Sequence, residues 1–218
     1  MHTQGHSTPL SIAVVGGGIA GIAAAYALQH RHRVVLFDQN RYLGGHTHTI
    51  SIPDGPDAGT PVDTGFIVFN DRTYPLLNRL FRELGVAIEK SDMSFSYYEE
   101  DSGFQYASCN PDTLFAQRRN LLDPSYWTML GEILRFNRRV TGLLESKQLE
   151  KLTMGQFLRQ YRFSSRFRRR YLFPMVAAIW SAPELAVDRF PMLTFARFFH
   201  NHGLLTTTRH PQWYFVSG

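Results

Sequence analysis

The run Ile12-Ala13-Val14-Val15 followed by Gly16-Gly17-Gly18-Ile19-Ala20-Gly21 constrains this chain more than any other segment. A β-branched stretch that is apolar on both faces is what a strand covered by helices on both sides requires. It ends in Gly-x-Gly-x-x-Gly, and the spacing has a mechanical reason. Gly16 turns the chain sharply out of the strand, the missing side chain at Gly18 admits a pyrophosphate to the backbone, and Gly21 lets the next helix pack tightly on the sheet. Phosphates there would meet unpaired N–H groups and the positive end of the helix dipole at Ile19, Ala20 and Gly21. Residues 22–28, mostly Ala and Leu, supply the helix, and Val34-Val35-Leu36-Phe37 supplies a second buried strand. Asp38 closes that strand 22 positions beyond Gly16, where an acid accepts hydrogen bonds from a ribose diol. The glycine motif alone is weak. With strand, helix, strand and terminal acid in register it reads as a nucleotide cradle, and the acid argues against a 2′-phosphate, since two negative groups would meet.

Composition bounds the remainder. With 218 residues, 44% hydrophobic and 19% charged, the chain has the apolar material for a buried core, as one large domain or a domain with a partial second one. Its one cysteine, Cys109, cannot close an internal disulfide, which points to a reducing compartment. The only uncharged stretch of note, residues 12–28, is shorter than a membrane span of about 20 residues and is broken by three glycines. No Lys or Arg precedes Arg31, so the start does not read as a signal peptide. A cytoplasmic protein is expected, with contact at the inner face of the membrane left open by its charge. Thirteen basic residues against four acidic ones lie between 118 and 170, so the rest of the chain is acidic although the whole carries +5.

Directly after Asp38 comes Arg41-Tyr42-Leu43-Gly44-Gly45-His46-Thr47, a second glycine pair where a plain NAD dehydrogenase usually begins another helix. The combination of V-V-G-G-G-I-A-G-I-A-A-A, V-V-L-F-D and R-Y-L-G-G-H-T resembles the FAD-binding start of the amine oxidase and phytoene desaturase superfamily of flavoproteins. Further stretches, Val62 to Asn70, Ser91 to Ser96, Leu114 to Leu121, Ala178 to Ser181 and Phe198 to Leu205, are similar to one subgroup. These are the bacterial predicted NAD/FAD-binding oxidoreductases, often discussed alongside cyclopropane-fatty-acid synthase-like methyltransferases. The resemblance implies FAD as cofactor, and for some members desaturation of a membrane fatty acyl chain. It carries the cofactor-binding set Gly16, Gly18, Ile19, Ala20, Gly21 and Asp38 on to Gln39, Arg41, Gly44, Gly45, His46, Thr64 and Gly65. Asp38 departs from the family, where Glu is more usual.

The fold class implied is α/β: a Rossmann-like FAD/NAD(P)-binding domain with an inserted, mostly helical α+β substrate domain. The expected division is 1–70 for the first part of the flavin domain, 71–210 for the substrate domain or cap, and 211–218 for a return strand. A C-terminal part is expected beyond that strand, so the chain reads as an N-terminal half. Residues 73–84 show a helical stripe stopped by Gly85, and 93–98 with 104–106 read as a hairpin. Helices are expected at 126–138, 140–145, 154–161 and 165–172, with Arg162, Arg166, Arg169 and Arg170 on one face. That face is either an ordinary wet surface or a contact with anionic lipid. No nucleic-acid motif appears among the basic residues, so nucleic acid is not expected as a partner. Trp180 is either core or, by the resemblance, a channel wall beside the flavin. His200 and His202 diverge in helix and strand alike, so no metal is expected.

No Ser-His-Asp, Cys-His or paired-carboxylate arrangement stands out, and no catalytic residue is assigned. A flavin-dependent oxidoreductase removing hydride from an apolar substrate, with a fatty acyl chain as the first choice, accounts for this, because the cofactor carries the difficult chemistry. A flavin amine oxidase shares the cradle and is the second reading. A non-catalytic dinucleotide-binding remnant is the third.

Overall fold

The computed structural model describes residues 8–180, 184–206 and 211–217. Contacts divide it into two compact units, one of Met1–Asn70, Tyr74–Ser91 and Tyr214–Gly218, the other of Asp71–Thr73 and Asp92–Trp213. Residues 74–91, taken from sequence as part of the substrate domain, therefore group with the first unit.

In the first unit, β1 (Ser11–Val15), α1 (Ile19–Leu28) and β2 (Arg33–Phe37) form a βαβ motif whose strands pair in parallel, Ser11 opposite Arg33 and Val15 opposite Phe37. A short antiparallel pair follows, β3 (Thr49–Ser51) with β4 (Pro61–Asp63). Then come β5 (Phe69–Asn70), α2 (Pro75–Leu84) and β6 (Ile88–Ser91). Pro75 begins α2 at a position whose N–H has no helical partner anyway, and Gly85 ends it at φ +66° in the left-handed region. The strand Trp213–Val216 lies between β5 and β6 in a three-stranded sheet. Phe69 is fully buried there, with the rings of Phe81 and Tyr214 centred 5.2 and 5.9 Å away.

One expectation fails in this unit. The strands were read as buried on both faces, but only the alternate set Ile12, Val14, Val34 and Leu36 is half-buried, while Val15 is 85% exposed and Val35 and Phe37 are also exposed. α1 packs on both strands. Apolar alternation reports that a face can be covered, not that a partner covers it.

The second unit begins with the expected hairpin, β7 (Ser96–Glu99) with β8 (Phe104–Ala107). α3 (Pro111–Leu114) carries a capping box between Asn110 and Thr113. A 3₁₀ turn, Arg118–Leu122, leads into α4 (Pro124–Leu143), which Asp123 caps by accepting from the Ser125 N–H at 2.9 Å. The two helices read at 126–138 and 140–145 are one. Arg139 and Val140 are ordinary helix residues, and Val140 is fully buried, so nothing there breaks the chain. α5 (Met154–Gln160) has a second capping box from Thr153 to Gln156. α6 (Ser165–Phe167) runs into a π-helical turn, Arg168–Leu172, and then α7 (Phe173–Trp180), α8 (Glu184–Val187), α9 (Met192–Asn201) and β9 (Trp213–Val216, described above) complete the chain.

The core of this unit is aromatic. Tyr126, Phe136, Phe157, Phe167, Phe195 and Phe199 are essentially solvent-free, and the Phe136 ring lies 5.4 to 5.8 Å from those of Phe157, Phe163, Phe167 and Phe195. Glu132 is buried but fully served, accepting from the Ser164 N–H at 2.8 Å and hydroxyl at 2.5 Å and from Arg135 at 3.3 Å. Trp180 is half-buried against Phe190 and Phe198, ring centroids 4.9 and 4.6 Å away. Ser181 lies outside the described residues. His202 stacks on Phe198 at 3.9 Å.

The arginines do not form the single helix face read from sequence. Arg162 sits at φ +51°, a left-handed turn before α6, and the π turn shifts the phase after it. Arg166 donates to Asp123 at 2.8 Å and to the Ser125 hydroxyl, while Arg170 donates twice to Glu99, at 3.2 and 2.5 Å. Both guanidiniums also lie over the Phe104 ring, 5.1 and 4.4 Å from its centroid. Two of the four are therefore structural.

Two outcomes follow from this core. Phe136→Ala should cost about 3–5 kcal/mol of stability, read from the urea midpoint, because four rings close on the space it vacates. Hydrogen bonds from Arg170 and then Ser102 lower the Glu99 carboxyl to about 2, and those from Ser125, with Arg166, lower that of Asp123 to about 2. Acids depressed on folding stabilise fully above their unfolded values of 4.5 and 3.8, and that contribution is lost as pH falls toward about 2. Arg170→Gln should flatten the acid limb of a stability–pH curve; an unchanged limb would show that the pair contributes nothing.

Candidate functional site: a two-glycine-loop cradle

The turn after β1 is built from backbone contacts that only glycine permits. Gly16 adopts φ +102° with its N–H donating to the Phe37 carbonyl at 2.8 Å, which ties the turn to the end of β2. A β-carbon on Gly21 would lie 1.8 Å from the Gly16 carbonyl oxygen, so no other residue fits there. Gly18 differs. It is the extended residue at the start of α1, and a β-carbon on it would meet nothing nearer than the Gly45 Cα at 3.9 Å. The space beside Gly18 is thus open, and α1 begins with no side-chain cap and no acid in its first turn. Ile19 and Ala20, in that turn, are exposed.

The second glycine loop lies alongside the first. The Gly44 N–H donates to the Gly17 carbonyl at 2.7 Å, Gly18 and Gly44 form a parallel bridge, and Gly44 and Gly45 take φ +119° and +63°. A β-carbon on Gly44 would fall 2.4 Å from the Thr47 carbonyl oxygen. A third segment closes on this loop: a β-carbon on Gly65 would lie 1.7 Å from the His46 carbonyl oxygen, and the Phe66 N–H donates to that oxygen at 3.0 Å. The Thr64 hydroxyl donates to the His48 carbonyl at 2.8 Å, and Tyr42 stacks on His48 at 4.5 Å.

Asp38 joins the two loops. Its Oδ2 accepts from the Gly17 N–H and its Oδ1 from the Asn40 N–H, both at 2.6 Å. The Asn40 and Gly17 amides hold its carboxyl below the usual carboxylate range. Each oxygen retains a second lone pair.

A family model described as an NAD(P)-binding Rossmann-like domain matches residues 14–84. Among curated proteins, the chain is 41% identical to Polyamine oxidase 5 of Oryza sativa subsp. japonica over 66 residues, 29% of this chain and 12% of that protein. It is 37% identical to FAD-dependent oxidoreductase dpasF of Apiospora sacchari over 68 residues, 30% and 14% of the two chains. Two solved structures share the fold along nearly the whole chain. Cyclohexylamine oxidase from Brevibacterium oxydans IH-35A has a TM-score of 0.66 at 21% identity, covering 95% of this chain and 46% of that one. Putrescine oxidase, bound to putrescine, has a TM-score of 0.68 at 18% identity, covering 96% and 46%. Residues 14–84 thus carry an NAD(P)-binding Rossmann-like domain, and the chain shares the fold of these two oxidases. It spans less than half the length of these structures.

The structure gathers Gly16, Gly18, Gly21, Asp38, Gly44 and Gly45 around one cradle. His46, Thr64 and Gly65 are tied to it through the 46–48 backbone. Gln39 and Arg41 are exposed in the connecting loop. Sequence reasoning missed Gly17, which is buried: a β-carbon there would meet Leu43 Cδ2 at 2.5 Å and Asp38 Oδ2 at 3.1 Å. The triple glycine was the available signal, since the motif itself needs no glycine at its middle position. Asn40 was missed too, because only its backbone acts.

Gly18→Ala should fold normally, whereas Gly21→Ala should lose the ordered cradle, since one β-carbon enters open space and the other meets a carbonyl oxygen. Thermal melts of the two variants separate the cases. Asp38→Asn should speed hydrogen exchange at the Gly17 and Asn40 amides. In the parent chain that protection should persist until pH falls below the ordinary carboxylate range, because the folded acid is the stronger one.

Proposed function

We propose that the cradle holds FAD and that the whole protein is an FAD-dependent oxidoreductase acting on a small molecule. The observation that supports this most is the open space beside Gly18, bounded by the second glycine loop and by the uncapped first turn of α1. Those features suit a pyrophosphate: N–H groups at Ile19 to Gly21 offer donors, the helix dipole favours negative charge, and no side chain intrudes. Asp38, held in place by two amides, offers its remaining lone pairs to the hydroxyls of a ribose. FAD in such a site supplies a two-electron acceptor for hydride from the substrate. The residues of this chain bind and orient; Gly44 and Gly45 keep the approach to the diphosphate free of side chains.

An amine is the substrate class favoured by the match to a polyamine oxidase through the nucleotide-binding segment. A fatty acyl chain is the second class and rests on the sequence resemblance alone.

The chain, incubated with FAD and desalted, should retain the visible flavin bands, and Gly18→Val should remove them by filling the space beside the second loop. A colourless protein that still binds ADP would reduce the reading to a dinucleotide-binding module. In a chain carrying flavin, anaerobic bleaching by simple amines, with peroxide on readmission of air, would identify the amine class; bleaching by acyl donors alone would favour the desaturase.

A further inference from the structure

The second unit carries an exposed face that the nucleotide chemistry does not use. On α4 the buried positions, among them Met129, Phe136 and Val140, define the inner side, and Trp127, Leu134 and Arg138 fall on the opposite side of the helix. Trp127 is 50% exposed, Leu134 52% and Leu122, in the turn before the helix, 88%. The Trp127 indole N–H donates to the Leu121 carbonyl at 2.9 Å, which holds that turn against the helix so that Leu122 and Trp127 belong to one surface. Large apolar side chains gathered on one outward face mark an interaction site more often than chance exposure does.

The charges around the face choose its partner. Between residues 118 and 143 there are five arginines; Arg118 pairs with Asp112 and Arg135 with Glu132, and Asp123 is engaged with Arg166, which leaves Arg119, Arg138 and Arg139 without a carboxylate partner among the described residues. Arg138 is exposed one turn from Leu134, and Arg139, also exposed, lies over the Tyr161 ring 4.6 Å from its centroid. Arg119, exposed in the turn that carries Leu122, donates only to the Gly103 carbonyl and the Gln117 side-chain oxygen among the described residues. A second copy of this chain would set arginine against arginine. A surface of phosphates over hydrocarbon matches both the cations and the apolar side chains.

We propose that this face docks on an anionic phospholipid surface, with Leu122, Trp127 and Leu134 entering the interface and the arginines among the head-group phosphates. The proposal is independent of the flavin, so it can fail while the cofactor reading stands.

The experiment is co-sedimentation of the chain with vesicles of phosphatidylcholine, with and without phosphatidylglycerol. Binding should require the anionic lipid and weaken with added salt, and Trp127 emission should shift to the blue, a shift absent in Trp127→Phe. Arg138→Gln should lower the partition coefficient about fivefold, and Leu122→Asp on the order of tenfold. Both sites are exposed, so the fold should survive; if Leu122→Asp did not fold, Arg138→Gln alone would carry the test. Equal binding to both vesicles, or unchanged binding in the variants, would overturn the proposal. Sedimentation with neither vesicle would also overturn it and would leave the face to an acidic protein partner.

Discussion

The cradle depends on one close approach: the carbonyl oxygen of Gly16 occupies the place where residue 21 would carry a β-carbon. The same device recurs where Gly44 meets the Thr47 carbonyl and Gly65 meets that of His46. Three backbone segments thereby come together without side chains between them. Such packing gains little from apolar burial, so polar contacts hold it in register, chiefly the two amides on Asp38 and the Gly44 to Gly17 hydrogen bond. Glycine at the start of α1 completes the arrangement. Ser, Thr, Asp or Asn would cap the helix by accepting from its first N–H groups; glycine leaves them free for a ligand at a cost of a few tenths of a kcal/mol.

The two units are stabilised differently. In the second, a continuous set of phenylalanine and tyrosine rings is removed from water, and the polar groups that enter it, such as Glu132, bring their partners along. In the first, only Phe69 and its neighbours form a comparable centre, and the strands leave Val15, Val35 and Phe37 in solvent. Local opening free energies follow burial. The glycine loops of the cradle thus belong to the less buried unit.

What could be read in advance follows the range of the interactions. The βαβ order, the glycine positions and the acid at the end of β2 are local features, and strands, helix and Asp38 all lie where the spacing put them. The reading of Asp38 as a ribose acceptor omitted its hold on Gly17, because that contact depends on how a loop 21 residues away folds back. Helix α4 reads from sequence as two segments, 126–138 and 140–145, while the burial of Val140 that carries the helix through is tertiary. The exposed faces of β1 and β2 could not be foreseen, since an apolar pattern says the same thing whether its partner is present or not.

The arginines make the same point in electrostatic terms. As a run of charge, residues 118–170 suggest one property, attraction to anions. The structure separates them by distance to acids remote in sequence: Glu99 takes Arg170 across 71 positions and Asp123 takes Arg166 across 43. Those pairs also consume acids, and Arg135 takes Glu132, so Arg138 and Arg139 are the α4 arginines left without a carboxylate partner among the described residues. Internal pairing therefore does two things at once. It anchors the hairpin and the start of α4 to the segment 166–170, and it leaves the outward charge of α4 more purely positive than the composition alone implies.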